Sequence, residues 1–449
     1  MLLFGLLVLA AVPVLLRRPE WAVFLFAFIL LAHVNLVLSV ELGFGLADPL
    51  LFGAMLGLVA VYPLLHGDTS RGCGRFLAAS ALWVAAVLNS FIWSTAAGVS
   101  VGALVEFLPN LLYGWLLFLL ITDRQRLLAA LAGIVVATAF LSVLTILQVT
   151  LPHEGFTFFG FAQGDIDHIA GQVDAIRPSG PVRDPNYYCQ ILVPGFTLAL
   201  GIALGGQTGR WRAVGVVATV VITVAILLTA SRGGLLAAAV ATVGLLLAHR
   251  KIQYLAVVAV PAIALLYFVP SYYDRVTSVT TAIVALASGQ NASETSVSGR
   301  LAEMEAAAIL FAEHPVSGIG YAMFETRYQD ISANYDMMLR GEDRSAHSLY
   351  LETAAEQGAV GLAALLFLLG SSLRSVQLAR RKAVLQGDVV GIYALQSMAA
   401  AGVGLFLSAV FLHDAYAQHF WLVLAVLFAA ERAMKANRYR VEPRVDMHV

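Results

Sequence analysis

Three arginines and one histidine in this chain have the types and surroundings that chemistry on an anionic substrate needs. His347 and Ser348 are followed by nine residues, then Gly358, two residues and Gly361. That run begins where a long polar stretch, carrying Arg340 and Arg344, gives way to an apolar one. An imidazole titrates near neutral pH and can take a proton from an attacking hydroxyl. Arg300 opens a helical stretch in Ser298-Gly299-Arg300, and Arg232 sits in Ser231-Arg232-Gly233-Gly234 between two apolar runs. Arg183 ends the segment from Arg177 through Pro178, Ser179, Gly180, Pro181 and Val182, and Asp184-Pro185-Asn186 follows it. Guanidinium groups hold phosphate oxygens by charge-assisted, often bidentate, hydrogen bonds. A phosphate clamp with a general base is a minimal kit for transferring a group away from a diphosphate.

Local pattern says how each group is presented. An arginine at a membrane boundary snorkels or faces a partner, and the two glycines after Arg232 allow a tight turn and close approach. Pro185 at a helix start leaves Asn186 and its neighbours with N–H groups that favour an anion. The stretch from Ser298 to Phe311 reads as a helix with Leu301, Met304, Ala308 and Phe311 on one face and Glu303 on another. It is expected to lie along the membrane surface or across the mouth of a bundle. Arg300 falls in its first turn, where the dipole disfavours a cation unless an anion is shared. His314-Pro315 and Gly318-Ile319-Gly320 end that helix, with His314 as its C-terminal cap. The aromatic and charged stretch from Tyr321 to Tyr335 is a candidate sugar-lining segment.

What must position these groups is a membrane bundle. Hydrophobic residues make up 60% of the chain and charged residues 12%, far from a soluble composition. Apolar runs of bilayer-crossing length recur near 2–16, 21–39, 46–65, 76–94, 100–121, 127–149, 187–205, 213–230, 233–248, 252–269, 349–373, 390–412 and 417–434. The fold class is therefore all-α and polytopic, with about 12–13 transmembrane helices; the pair flanking Ser231 also reads as one broken element. Met1 leads straight into apolar residues with no basic region or cleavage site, so the first run is expected to stay as a membrane segment. Basic residues fall in alternate short loops, at Arg17, Arg71, Arg124, Arg210, Arg250, Arg374 and the tail beyond Arg432, which makes those loops cytoplasmic. The opposite side then receives both long polar loops. The resulting division is an N-terminal bundle over 1–149, a first outer loop over 150–186, helices carrying the Arg232 turn over 187–269, a large outer loop with amphipathic helices over 270–348, C-terminal helices over 349–434 and a tail over 435–449.

Several function classes drop out. Cys73 and Cys189 fall on opposite sides of this topology and cannot pair, and no Cys/His spacing suits a metal. Neither a phosphate-binding loop nor a dinucleotide glycine fingerprint is present, so energy for a reaction arrives with the substrate. No basic patch with interleaved aromatics supports nucleic-acid binding. A transporter or flippase stays as the more distant alternative, because it would place ionisable groups near the bilayer midplane, whereas the spans hold little beyond Glu106, Asn35 and Asn89.

At these residues the chain resembles the O-antigen ligase and polymerase superfamily of bacterial envelope glycan enzymes. The family signature is His, then Asn, Ser or Gln, nine residues, Gly-x-x-Gly, then Gly, Thr or Tyr. Here His347-Ser348 and Gly358-Ala359-Val360-Gly361 match it, and Leu362 departs at the last position of the strict ligase form. Arg232 and Arg300 match the family's two functional arginines in order and approximate spacing. The likeness runs from about Arg177 to Leu373. It implies a metal-independent, cofactor-free, inverting glycosyltransferase of the bacterial inner membrane, with its site on the periplasmic side. The donor would be an undecaprenyl diphosphate-linked glycan; the acceptor a lipid A–core sugar, a second lipid-linked unit or a protein hydroxyl. The chain stops soon after its last apolar run, which disfavours the protein acceptor, and the ligase reading leads. By the same resemblance Arg232 and Arg300 hold the diphosphate, Arg183 is a third anion contact, and His347 serves the acceptor hydroxyl. Gly358 and Gly361 would be close-packing glycines beneath it.

Overall fold

The computed structural model describes residues 15–66, 74–151, 156–169, 173–255, 295–335, 344–412 and 417–435. Nearly all of this is helix, as hydrocarbon demands: each backbone N–H and C=O must be bonded within its own segment. Helix α1 (Pro19–Leu31) ends at a left-handed His33, and its continuation over Val34–Glu41 is bent away by 63°. Then come α2 (Ala47–His66), α3 (Gly74–Ser90), α4 (Ala97–Leu120) and α5 (Arg124–Thr150). An antiparallel hairpin of β1 (Gln163–Ile169) and β2 (Val173–Gly180) precedes α6 (Pro185–Gly205), α7 (Gly209–Leu228) and α8 (Arg232–Ala248). The chain continues through α9 (Thr295–Glu313), α10 (Phe324–Asn334), α11 (Leu349–Leu385), α12 (Val389–Ser408) and α13 (Gln418–Lys435).

The all-α, multi-pass reading holds. Among the described residues seven helices are long and apolar enough to cross a membrane: α3 with its following turn, α4, α5, α6, α7, α11 and α12. The bent α1 pair makes an eighth, while α2 over Ala47–Tyr62 and α8 are apolar but shorter. The expected segments near 2–16 and 252–269 lie almost wholly outside the described residues; each of the others coincides with a described helix.

Three local expectations are corrected. The prolines and glycine between Arg177 and Arg183 point by sequence to an irregular backbone, yet Arg177-Pro178-Ser179-Gly180 lies on β2, paired with β1 from Gln163 to Asp165. Thr229-Ala230-Ser231 fully separates α7 from α8, so the pair is not one broken element. Helix α11 runs on to Leu385, so Arg374, Arg380, Arg381 and Lys382 are helical rather than in a loop.

The core is built around α13, whose residues from Gln418 to Ala430 are all buried. A helix apolar all round has no face for water and takes the bundle centre. Neighbouring helices reach it through small residues and rings: Gly114 of α4 sits where a Cβ would come 2.9 Å from the Trp421 carbonyl oxygen. Trp83 of α3 packs 5.3 Å from Phe107 and 5.6 Å from Trp421, ring to ring. At one end of the bundle, charges lock the helices together. Arg124 grips Asp388 with two bonds of 2.5 and 2.8 Å, and both Arg75 and Lys382 pair with Glu431. Lys382 lies near the far end of α11 from Leu349, so this charged end is opposite to the one that carries His347.

Candidate functional site

Four segments far apart in sequence meet at the His347 end. The first is the reversal between α7 and α8. Ala230 takes a left-handed conformation (φ 51°) and so makes the turn, while Gly233 and Gly234 already belong to α8. Ser231 caps α8 by accepting the Gly234 N–H at 3.3 Å, which sets Arg232 at the first helical residue. The glycines serve close approach instead. A Cβ on Gly234 would stand 2.1 Å from Cys189 Sγ in α6, and one on Gly233 would stand 3.1 Å from Phe411. Cys189 is a buried free thiol; Cys73 lies outside the described residues.

The second segment is the hairpin and the start of α6. Arg177 on β2 donates twice to the Thr229 carbonyl, at 3.2 and 3.0 Å, and so ties the hairpin to the α7–α8 turn. Asp184 is the N-cap of α6, its carboxylate accepting the N–H groups of Asn186 at 2.7 Å and Tyr187 at 2.9 Å. The anion expected at this helix start is therefore supplied by the chain itself, and those N–H groups do not face a ligand. Arg183, in a left-handed conformation (φ 58°), turns outward and pairs with Glu41 at 2.5 Å with its side chain 62% exposed.

The third segment is α9. It begins at Thr295, so Arg300 lies in its second turn rather than its first, and the argument from an unfavourable dipole position falls away. The buried face is Ala302, Glu303, Ala306, Ala307 and Leu310; Leu301 and Ala308 are exposed, contrary to the face expected from the large apolar residues. Alanines let α9 lie close against α11, and that closeness carries Glu303 into the interior. Burial lowers the proton affinity of the Arg300 guanidinium; Asp184 opposes this, Arg177 adds to it, Glu303 opposes it and Arg232 adds to it. Arg177, Asp184, Arg232, Arg300 and Glu303 thus share one electrostatic neighbourhood, in which three guanidinium groups outnumber two carboxylates. An arginine keeps its proton throughout, so the excess is positive. His314 follows α9 directly, its N–H on the Leu310 carbonyl as a C-terminal cap.

The fourth segment is the approach to α11. His347 is held in a left-handed conformation (φ 48°), and its Nε2 lies 3.4 Å from Glu303 Oε2, a fully buried carboxylate. Its neighbours are fastened on both sides. The Ala346 N–H donates to Glu352 Oε2 at 2.9 Å, Ser348 caps α11, and the Leu349 N–H reaches the carbonyls of Ala409 and Leu412. Three residues upstream, the Arg344 Nε is enclosed with no hydrogen-bond partner among the described residues.

Gly358 does something other than pack a straight helix. It breaks α11 with φ 67° and ψ −166°, a region open only to glycine. The opened ladder is completed by the segment after α9: Ile319 N–H to Ala355, Gly320 N–H to Glu356 and Ala359 N–H to the Pro315 carbonyl. A Cβ on Gly358 would stand 2.1 Å from the Val316 carbonyl oxygen, and one on Gly318 would stand 2.2 Å from the Glu356 backbone. The Glu356 side chain accepts the Phe324 N–H at 3.0 Å, at the start of α10. The signature spacing therefore sets where the segment carrying Arg300 and Glu303 docks onto the helix carrying His347. Tyr321 and Tyr328, expected as sugar-lining, are buried in the packing, with Tyr321 stacked on Phe91. Tyr335 is exposed and donates to Glu313 at 3.0 Å.

Sequence reasoning missed Glu303, Glu352 and Glu356. Each is an acidic residue turned to the buried side of its helix, and the spacing of Arg300 and Glu303, three apart and so on neighbouring faces, was the available signal. Among the described residues no group of three or more His, Cys, Asp or Glu side chains could hold a metal ion. No curated protein matches the chain. Residues 217–366 match the family model described as O-antigen ligase. That match starts within α7 and ends within α11, so it contains Arg232, Arg300, Glu303, His347 and Gly358. Over this stretch, about a third of the chain, the protein, a multi-pass membrane protein, is similar to the O-antigen ligase family.

Proposed function

We propose that the protein is a glycosyltransferase that moves a glycan from undecaprenyl diphosphate to a sugar hydroxyl of lipid A–core, on the periplasmic face of the bacterial inner membrane. The observation that carries this reading is the meeting of Arg232 and Arg300 in one charge cluster with Glu303, which touches His347. Arg232 and Arg300 hold the diphosphate and take up the charge that develops on it as the glycosidic bond breaks. His347 accepts the proton of the attacking hydroxyl. Attack from the face opposite the diphosphate inverts the anomeric carbon. Arg183 joins the clamp only by leaving its pair with Glu41. No metal or other cofactor enters this scheme, and no nucleic acid.

A second reading is favoured by one residue. Leu362 departs from the strict ligase form of the signature, which suits a polymerase that uses a second lipid-linked unit as acceptor. Purified protein with lipid-linked glycan, offered either lipid A–core or no other acceptor, separates the two. A single addition onto core supports the ligase, and a product ladder without core supports the polymerase. His347→Ala is expected to lower transfer about 10²–10⁴-fold at normal protein level, the usual weight of a general base. Unchanged transfer by that variant refutes the catalytic assignment.

A further inference from the structure

We propose that Glu303 is the positioning residue for His347, holding its imidazole in one tautomer and orientation so that the other ring nitrogen meets the acceptor hydroxyl. This rests on the reading of His347 as the base.

Three independent features of the fold converge on it. The Glu303 carboxylate is fully buried and stands 3.4 Å from Nε2 of His347, close enough for an N–H to be directed at it. A buried carboxylate is costly unless a partner answers it, so this contact is not a surface accident. Next, the face of α9 that packs inward is built from Ala302, Ala306, Ala307 and Leu310, and the acidic residue on it is Glu303. Leu301, Met304 and Phe311, which would bury more area, are turned the other way or only partly covered. The helix gives up apolar burial to bring this carboxylate under the histidine. Last, the backbone at His347 is left-handed, an unfavourable conformation for a residue with a Cβ. Bonds from Ala346 to Glu352 and from Leu349 to Ala409 and Leu412 hold it there. Strain maintained from both sides fixes where the ring points, and it points at α9.

The arrangement also accounts for Arg300 and Glu303 sharing a helix. The junction at Gly358 docks α9 as one rigid piece, so the group that holds the leaving diphosphate and the group that orients the base move together. In the step itself, the acceptor O–H proton passes to the imidazole nitrogen that does not face Glu303. The acceptor oxygen bonds to the anomeric carbon, and the bond from that carbon to the diphosphate oxygen breaks with its electron pair leaving on the diphosphate. The imidazolium so formed is balanced by Glu303, and the diphosphate by Arg232 and Arg300.

The charged groups that the described residues bring to the His347 segment include Glu303 on α9, Arg344 three residues upstream, and Glu352 on α11, which acts through the Ala346 N–H. From the end of α12 and the turn after it, the Ala409 and Leu412 carbonyls accept the Leu349 N–H. Glu303 is in ion-pair contact with the ring. A carboxylate beside an imidazole favours the protonated ring, so the base becomes available at higher pH with Glu303 present than without it.

The test uses the full-length protein in detergent or vesicles, with lipid-linked glycan as donor and the acceptor that supports transfer. Rates are measured from pH 5 to 9 for the wild type, Glu303→Gln, Glu303→Asp and His347→Ala. Glu303→Gln is expected to lower kcat at least tenfold with little change in donor KM. The midpoint of its acid limb should move to lower pH by about one unit or more. Glu303→Asp, which draws the charge back by one methylene, should lower kcat severalfold and move the midpoint less. A wild-type kcat and midpoint in either variant, with His347→Ala inactive, overturns the proposal and leaves the base assignment standing. A wild-type rate in His347→Ala overturns the base assignment itself. Should Glu303→Gln fail to accumulate, Glu303→Asp alone decides, by the same two readouts.

Discussion

Replacing Gly358 with alanine is the sharpest probe of how the site is assembled. At φ 67° and ψ −166° an L-residue is strained by about 1–3 kcal/mol. The added Cβ would also lie 2.1 Å from the Val316 carbonyl oxygen, which is backbone and cannot swing aside. Relief requires the Pro315–Gly320 segment to back away, and with it go the bonds from Ile319, Gly320 and Ala359. Each is worth about 0.5–1.5 kcal/mol net. The combined cost is about 2.5–7.5 kcal/mol, enough to undock the segment carrying Arg300 and Glu303 while the membrane helices stay folded. Glycan transfer should therefore fall by at least tenfold, and limited proteolysis should cut the α9–α10 segment faster than in the wild type. Gly370→Ala, in the same helix with nothing within 4 Å of its Cβ, is the control and should be neutral or stabilising by up to about 1 kcal/mol. Wild-type transfer and wild-type proteolysis in Gly358→Ala would refute the view that this glycine is a docking break.

Two further predictions concern other joints. Glu356→Ala removes the acceptor of the Phe324 N–H and should cost about 1–3 kcal/mol, read as faster proteolysis at the start of α10. At the far end of the bundle, Asp388 caps α12 and pairs with Arg124. Partial burial would raise its carboxyl, but the Arg124 hydrogen bonds and the Gly391 N–H outweigh that and hold it below the usual carboxylate range. Its stabilisation is therefore complete above the unfolded carboxylate range and is lost as pH falls through the lower folded value. Asp388→Asn keeps the cap and loses the charge, so it should destabilise by no more than about 1 kcal/mol at pH 7, with the difference from wild type closing at acid pH. Asp388→Ala should cost about 1 kcal/mol more, from the lost cap. Thermal melting in detergent across pH measures both; a gap that widens toward acid would contradict the sign.

Composition and apolar run length alone determined that this is a polytopic helical membrane protein, because hydrocarbon admits little else and the period of helix boundaries is written in polar interruptions. Residue type and spacing likewise mark His347, Arg232 and Arg300 as the candidates proposed above. Where the reading failed, it failed on contacts between segments distant in sequence. The inward face of α9 was misjudged because large apolar side chains signal burial against a core, whereas docking on α11 demanded alanines and close approach. The start of α6 looked like an open anion site because nothing local says that Asp184 folds back to cap it. Gly358 looked like a packing glycine because its positive φ and its bonds to Pro315, Ile319 and Gly320 exist only once the two segments meet. Glu303 is the plainest case. As a letter it is one of three acids on its helix, and only the fold, by burying it against a histidine 44 positions further along, makes it part of a candidate site.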